Sequence, residues 1–230
     1  MERGLYIAAS GMVAEQMRQD AIANNLANAS TPGYKADRVT QSTFNDLLLS
    51  NTQTGQPVGG LGTGVFADRM TTDFADQPLK PTDQPLDLAI AGNGWFGVRT
   101  PNGVQYTRNG QFTASAQGTL IDQNGNNVLG AGGGPVQLDA QGQVTPGSVG
   151  VFRVANPAKQ GNNYVTGAAA GQDTGSVRTG SLESSGLDPA TAMVDMIASF
   201  RSYEAGQRAI QTIDQSLQEA ASQVANPHAN

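Results

Sequence analysis

The glycines and prolines of this 230-residue chain are confined to one part of it. Of 29 glycines, all but Gly4, Gly11, Gly33 and Gly206 fall between Gly55 and Gly186. No proline precedes Pro32, and none lies between Pro189 and Pro227. Both residues disfavour helix interiors, glycine through backbone entropy and proline through its missing N–H and its ring. The chain therefore divides into a helix-permitting head, a middle of strands and turns, and a helix-permitting tail. The expected fold class is α+β, with N- and C-terminal helices pairing as a coiled-coil-like core and a mostly antiparallel β domain inserted between them. The segments are a head over 1–35, made of a helix and the block that follows it, an extended connector over 36–85, a β domain over 86–186 and a tail helix over 187–230.

The tail has the clearest periodicity. Steps of three and four from Met193 select Met196, Phe200, Tyr203, Gln207, Ile210, Asp214, Leu217, Ala221 and Val224, of which only Gln207 and Asp214 are polar. That is a heptad seam, widened by Ile197 and Ile213 beside it. A helix from Pro189 to Ala225 would extend ~55 Å at 1.5 Å per residue. Pro189 suits a first helical turn, with Asp188 or Ser185 as its cap. In the head, Leu5, Ala9, Met12, Gln16, Gln19, Ala23 and Leu26 follow the same steps with Ile22 adjacent. Ser30-Thr31-Pro32-Gly33 should stop this helix near Asn28. Such stripes pack either on one another within a chain or on other subunits.

The middle reads as β. Leu86-Asp87-Leu88-Ala89-Ile90 alternates, Trp95 to Arg99 follows, and Asn102-Gly103 joins it to Val104-Gln105-Tyr106-Thr107-Arg108 as a hairpin. Two apparent motifs fail here. Gly92-Asn93-Gly94-Trp95-Phe96-Gly97 matches G-x-G-x-x-G but runs into a strand-forming sequence, whereas a dinucleotide fingerprint opens a helix. Asp122, Asn124 and Asn126 resemble the start of a calcium loop, but Asn127 and Gly133 stand where such a loop needs Gly and Glu, so a turn is expected.

Composition removes further classes. The chain has no cysteine, and its single histidine, His228, follows Pro227 near the C-terminus, so thiol, zinc and Ser-His-Asp chemistry are not expected. A net charge of −6 argues against nucleic acid as a partner. No apolar run approaches the ~20 residues of a membrane span, so no membrane insertion is expected. MERGLYIAASGM lacks a basic stretch followed by an apolar core, so it does not read as a cleaved signal peptide. Asp73 with Asp76, and Asp83 with Asp87, are the nearest thing to paired catalytic carboxylates, and loop aspartates are usually turn formers. The expectation is no enzyme, no cofactor and no metal.

The block Asn24-Asn25-Leu26-Ala27-Asn28-Ala29-Ser30-Thr31-Pro32-Gly33-Tyr34-Lys35 resembles the N-terminal signature of the bacterial flagellar rod and hook axial proteins. That pattern is an N-N-L/I-A-N core, then Thr, Gly, an aromatic and a basic residue, here at Thr31, Gly33, Tyr34 and Lys35. The run from Pro85 to Phe96, with Tyr106-Thr107-Arg108-Asn109-Gly110, is similar to the family's central β domain. Gly180-Ser181-Leu182-Glu183-Ser184-Ser185, Met193-Val194-Asp195-Met196-Ile197 and Arg201-Ser202-Tyr203-Glu204 are similar to its C-terminal segment. Two departures are Ser184-Ser185-Gly186-Leu187-Asp188-Pro189 for the usual S-N-V-D/N, and Ala205-Gly206 for A-N. Gly206 costs a helix roughly 1 kcal/mol relative to Ala and permits close packing or a bend.

The resemblance implies a structural subunit of the flagellar basal-body rod, with Arg3-Gly4-Leu5-Tyr6 and Trp95 leaning towards the proximal-rod type. It implies assembly with copies of itself and other rod proteins, contact with hook-side and ring proteins, and export by the flagellar secretion apparatus to the basal body. Leu5, Met12, Ile22, Leu26, Met193, Met196, Ile197, Phe200, Tyr203, Ile210, Ile213 and Leu217 are then the expected helix interface. Tyr34 and Lys35 are expected to add subunit contacts, and both chain ends to be mobile until incorporation. The alternative class is a secreted β-rich adhesin or carbohydrate-binding module on a coiled-coil stalk.

Overall fold

The computed structural model describes residues 2–44, 47–50, 57–61 and 64–225, so His228 lies outside the described residues. The chain forms an N-terminal helix, a β-rich middle and a C-terminal helix, and it divides into two compact units.

The first unit takes residues 1–26, 37–71 and 189–230. Its helices are α1 (Glu2–Ala27) and α2 (Pro189–Ala225). Its strands are β1 (Asp37–Thr43), β2 (Leu47–Ser50), β3 (Pro57–Leu61) and β4 (Val65–Thr72), the last ending at the unit boundary. The sequence shows this stretch only as a connector; in the structure β1 pairs with β4, and β2 with β3 as an antiparallel hairpin. In β1 the polar run Thr40-Gln41-Ser42-Thr43 suits a two-stranded ribbon that buries little, which is why composition alone reads as loop.

The helices touch along a line of small residues. Ser199 Oγ donates to the Glu15 carboxylate at 2.5 Å and lies 3.3 Å from the Glu15 carbonyl oxygen. A Cβ on Gly206 would sit 2.8 Å from Met12 Cγ, and one on Gly4 would sit 3.3 Å from Ile213 Cδ1. Residue numbers fall on one helix as they rise on the other, so α1 and α2 run antiparallel through these contacts.

The second unit takes residues 27–36 and 72–188. Its strands are β5 (Leu79–Pro81), β6 (Leu88–Ala91), β7 (Trp95–Thr100), β8 (Gly103–Thr107), β9 (Thr113–Ala114), β10 (Leu120–Ile121), β11 (Asn127–Val128), β12 (Val151–Gln160), β13 (Tyr164–Gln172), β14 (Ser176–Thr179) and β15 (Ser181–Glu183). The main sheet runs β12-β13-β8-β7-β11-β10-β9, and β12 also pairs with β7 through Val151↔Phe96 and Phe152↔Trp95. Strands β7, β8, β13 and β12 thus close into a ring, which removes their exposed edges.

Period-two alternation along β7 then serves two cores. Trp95 packs with Tyr106, Val165 and Phe152. Phe96, its neighbour in sequence, points the opposite way into the larger core of Leu88, Ile90, Phe112, Leu120, Val128 and Val136. Gly92 to Gly97 leads into β7, a strand and not a helix. Two short antiparallel pairs, β6 with β14 and β5 with β15, complete the unit.

Candidate functional site

The signature block straddles the two units and is mostly consumed by backbone bonding. Asn25 is buried; its side-chain Nδ2 donates to the Asp37 carbonyl at 2.7 Å, and its Oδ1 accepts the Asp37 N–H at 3.0 Å. One amide side chain thereby ties the end of α1 to the start of β1. Asn24 and Ala27 are exposed and Leu26 half-buried. Asn28 accepts the Thr31 N–H at 3.0 Å, which turns the chain out of the helix before Pro32.

Gly33 adopts φ 65° and donates its N–H to the Glu183 carbonyl at 2.9 Å. A Cβ here would stand 2.3 Å from the Arg108 carbonyl carbon, so both the dihedral and the space demand glycine. Tyr34 is fully buried, and Lys159 Nζ lies 4.0 Å from its ring centroid. Lys35 is buried as well; its Nζ donates to Glu183 Oε1 at 2.7 Å and to the Ala75 carbonyl at 2.6 Å. The expectation that Tyr34 and Lys35 add subunit contacts is corrected: both side chains are used inside this chain.

Glu183 is the centre of that arrangement. Its carboxylate accepts Lys35 Nζ, the Gln77 N–H at 3.0 Å and Arg108 Nη1 at 3.1 Å. Arg108 Nη2 also donates to Asp76 at 2.9 Å and to the Gly92 carbonyl at 3.0 Å. Two cations face two carboxylates, and the Trp95 ring lies 5.4 Å from the guanidinium and 6.0 Å from the ammonium. Both carboxylate oxygens of Glu183 are occupied, which makes the cluster a structural clamp, while the buried Arg108 Nε–H has no partner among the described residues.

The carboxylate of Asp122 is spent in the same way. Oδ1 accepts the N–H groups of Asn124 and Asn126 at 2.9 and 2.8 Å, and Oδ2 accepts Tyr164 Oη–H. This closes a turn, as the sequence predicts. Burial, and then the bond to Asp122, push the Tyr164 phenol above its ordinary pKa. The adjoining polar cleft holds ≈ 60 Å³, room for a water or two.

The helix faces are different in kind. On α2 the inward positions are Ala192, Met196, Ser199, Tyr203, Gly206, Ile210, Ile213 and Leu217, spaced by fours and threes. Met196, Tyr203, Ile210 and Leu217 lie on the inward face, and so does Ile213. Met193, Ile197 and Phe200 do not: they are 52, 56 and 55% exposed, beside Val194. Close approach of α1 favours small residues at the contact, so Ala192, Ser199 and Gly206 go in and the bulky neighbours turn out. On α1, Leu5, Met12, Ile22 and Leu26 are half-buried, whereas Tyr6, Val13 and Met17 are exposed. These last three line an apolar groove of ≈ 400 Å³ with Phe44, Val65 and Phe66.

Known proteins share this plan. Residues 5–35 match the family described as Flagella basal body rod protein, 89–151 the Flagellar hook protein FlgE/F/G D1 domain, and 178–223 the Flagellar basal body rod FlgEFG protein C-terminal. The flagellar hook-basal body complex protein FlhO of Bacillus subtilis (strain 168) is 30% identical, covering 97% of this chain and 99% of its own length. The chain belongs to the flagellar basal-body rod proteins. FlgG of the same organism is 31% identical over 95% of this rod-family chain, and FlgF of Mesorhizobium japonicum 30% identical over 89%. Each matched segment of the rod-family chain supplies one member of the buried clamp: Lys35 from the first, Arg108 from the second and Glu183 from the third. In the sequence Arg108 and Glu183 stand only as parts of motifs, because polar neighbours such as Thr107 and Asn109, or Ser181 and Ser184, give no sign that either charge is buried.

Proposed function

We propose that this chain is a structural subunit of the bacterial flagellar basal-body rod, and that copies assemble with one another and with other axial proteins through α1 and α2. The observation that carries this is the pair of exposed apolar strips on the terminal helices of a rod-family chain: Met193, Val194, Ile197 and Phe200 on α2, and Tyr6, Val13 and Met17 on α1. A soluble monomer seldom leaves contiguous apolar surface uncovered. In the assembled rod the two helices pair as a coiled-coil-like layer, the inward residues holding α1 to α2 and the outward strips meeting neighbouring subunits. The β-rich unit carries the contacts to hook-side or ring proteins. Export by the flagellar secretion apparatus completes the reading. Its family is a structural one, and the matches favour no adhesin or carbohydrate-binding module.

The outward strip supplies a cleaner test than the inward seam, because its residues are not needed for the fold of one chain. Phe200→Asp should abolish motility and remove the protein from purified basal bodies while the circular dichroism of the isolated protein stays unchanged. Normal motility would overturn the helical interface. Position along the rod follows from Ser222→Cys, exposed on α2: crosslinks to early rod, gate or basal-ring proteins mark the proximal type, and crosslinks to hook-side proteins the distal type.

A further inference from the structure

The middle of the chain contains four Asn-Gly pairs: Asn93-Gly94, Asn102-Gly103, Asn109-Gly110 and Asn124-Gly125. In such a pair the glycine amide nitrogen, after losing its proton, can attack the asparagine side-chain carbonyl. The C–N bond that forms closes a five-membered succinimide, and the side-chain nitrogen leaves as ammonia. Water then opens either carbonyl of the ring, yielding aspartate or its β-linked isomer, isoaspartate. No oxidant or reductant is consumed. The attack needs the backbone to rotate and the side chain to be free, and the fold grants these conditions unequally.

At Asn109-Gly110 the asparagine is buried, its Oδ1 accepts the Gln111 N–H at 3.0 Å, and a Cβ on Gly110 would overlap the Leu88 carbonyl oxygen. At Asn124-Gly125 the side chain donates to Tyr164 Oη at 2.7 Å, and the Gly125 N–H, the attacking group, is held by the Asp122 carbonyl at 3.1 Å. At Asn93-Gly94 the asparagine is exposed, but Gly94 is buried, with Val151 Cγ1 2.3 Å from where its Cβ would be. At Asn102-Gly103, the tip of the β7–β8 hairpin, both residues are exposed with nothing within 4 Å of the glycine Cβ direction, as they are at Asn124-Gly125, but no partner comparable to Tyr164 faces the asparagine. Gly103 pairs with Thr100, whose Oγ1 donates to the Gly103 carbonyl at 2.8 Å, but among the described residues no hydrogen bond holds the Asn102 side chain.

We infer that Asn102 is a site of spontaneous deamidation and isoaspartate formation in the folded protein, and that the fold protects the other three Asn-Gly pairs. The modified tip carries an added negative charge and, in the isomer, an extra backbone carbon at the turn between two strands of the closed ring. It becomes a substrate of the chemical class that isoaspartyl methyltransferases recognise.

The test is to age the folded full chain at mildly alkaline pH and follow all four Asn-Gly peptides by mass spectrometry. A urea-denatured sample is aged in parallel. Isoaspartate is counted by methyl transfer from S-adenosylmethionine with an isoaspartyl methyltransferase. The expected result is conversion of the Asn102 peptide alone in the folded sample, conversion of all four when denatured, and loss of methyl incorporation in folded Asn102→Gln. Equal conversion of Asn93, Asn109 or Asn124 in the folded chain would overturn the inference. So would an intact Asn102 in a folded sample whose denatured partner reacts.

Discussion

Lys35 Nζ lies 2.7 Å from Glu183 Oε1, with the two side chains 3 and 1% exposed and 148 residues apart in sequence. This pair joins the segment that leaves α1 to the strand that precedes α2. Ser185 Oγ donating to the Ala29 carbonyl at 2.6 Å, and Gly186 N–H to the Tyr34 carbonyl at 3.1 Å, extend the same seam. The β-rich unit is therefore completed by residues 27–36, and a fragment cut at 86–186 lacks its clamp.

Breaking the clamp on one side leaves buried charge unpaired. Glu183→Ala should cost about 3–5 kcal/mol, read by urea unfolding through the fluorescence of Trp95, the one tryptophan of the chain. Lys35→Met combined with Glu183→Leu should cost less than the sum of the single changes, since it removes both charges together. Strict additivity would show that the pair is not coupled.

Gly33→Ala should be destabilising by at least about 1–3 kcal/mol, the scale of a strained left-handed residue. The added methyl also meets backbone, not a movable side chain. Gly33→Asn, which ordinarily tolerates this dihedral, should be no better, because space rather than φ decides. Denaturant midpoints of the two variants check this.

Gly206→Leu should force α1 and α2 apart where Met12 crosses, at about 1–3 kcal/mol for overpacking. Adding Met12→Ala should restore much of the helical stability, because the flexible methionine is the atom set that clashes. Thermal melts followed by circular dichroism at the helix band measure both.

The raised Tyr164 pKa has a definite sign. The fold holds the phenol neutral, so its contribution is full below the ordinary tyrosine value of about 10 and is lost as pH rises through the higher folded value. Unfolding free energy of the wild-type chain should therefore fall at alkaline pH. Tyr164→Phe should flatten that limb, at the cost of a lower plateau at neutral pH from the lost bond to Asp122.

Helix location was legible because it depends on what is missing. Without proline or clustered glycine, the segments before Asn28 and after Pro189 can hydrogen-bond to themselves, and a seam such as Met196, Tyr203, Ile210 and Leu217 shows in the spacing. Which seam residues face α1 was not legible. A heptad pattern leaves Met193 and Ala192, or Phe200 and Ser199, almost equally placed, and burial of the larger side chain is the natural reading. Approach of α1 to within contact of Gly206 and Ser199 reverses that choice, and this distance is a property of two helices and not of either one.

By itself the sequence determined the order of helix, β-rich middle and helix, the hairpin at Asn102-Gly103, the turn closed by Asp122, and the family. These rest on interactions between residues close in the chain, or on residue types that local geometry demands. Tertiary structure alone decided that Tyr34 and Lys35 face inward, that Arg108 and Glu183 complete their site, and that β12 returns to β7 to close the ring. Such contacts join residues far apart in sequence, where no local spacing records the partner, and a buried charge reads as a surface one until its counter-charge is found.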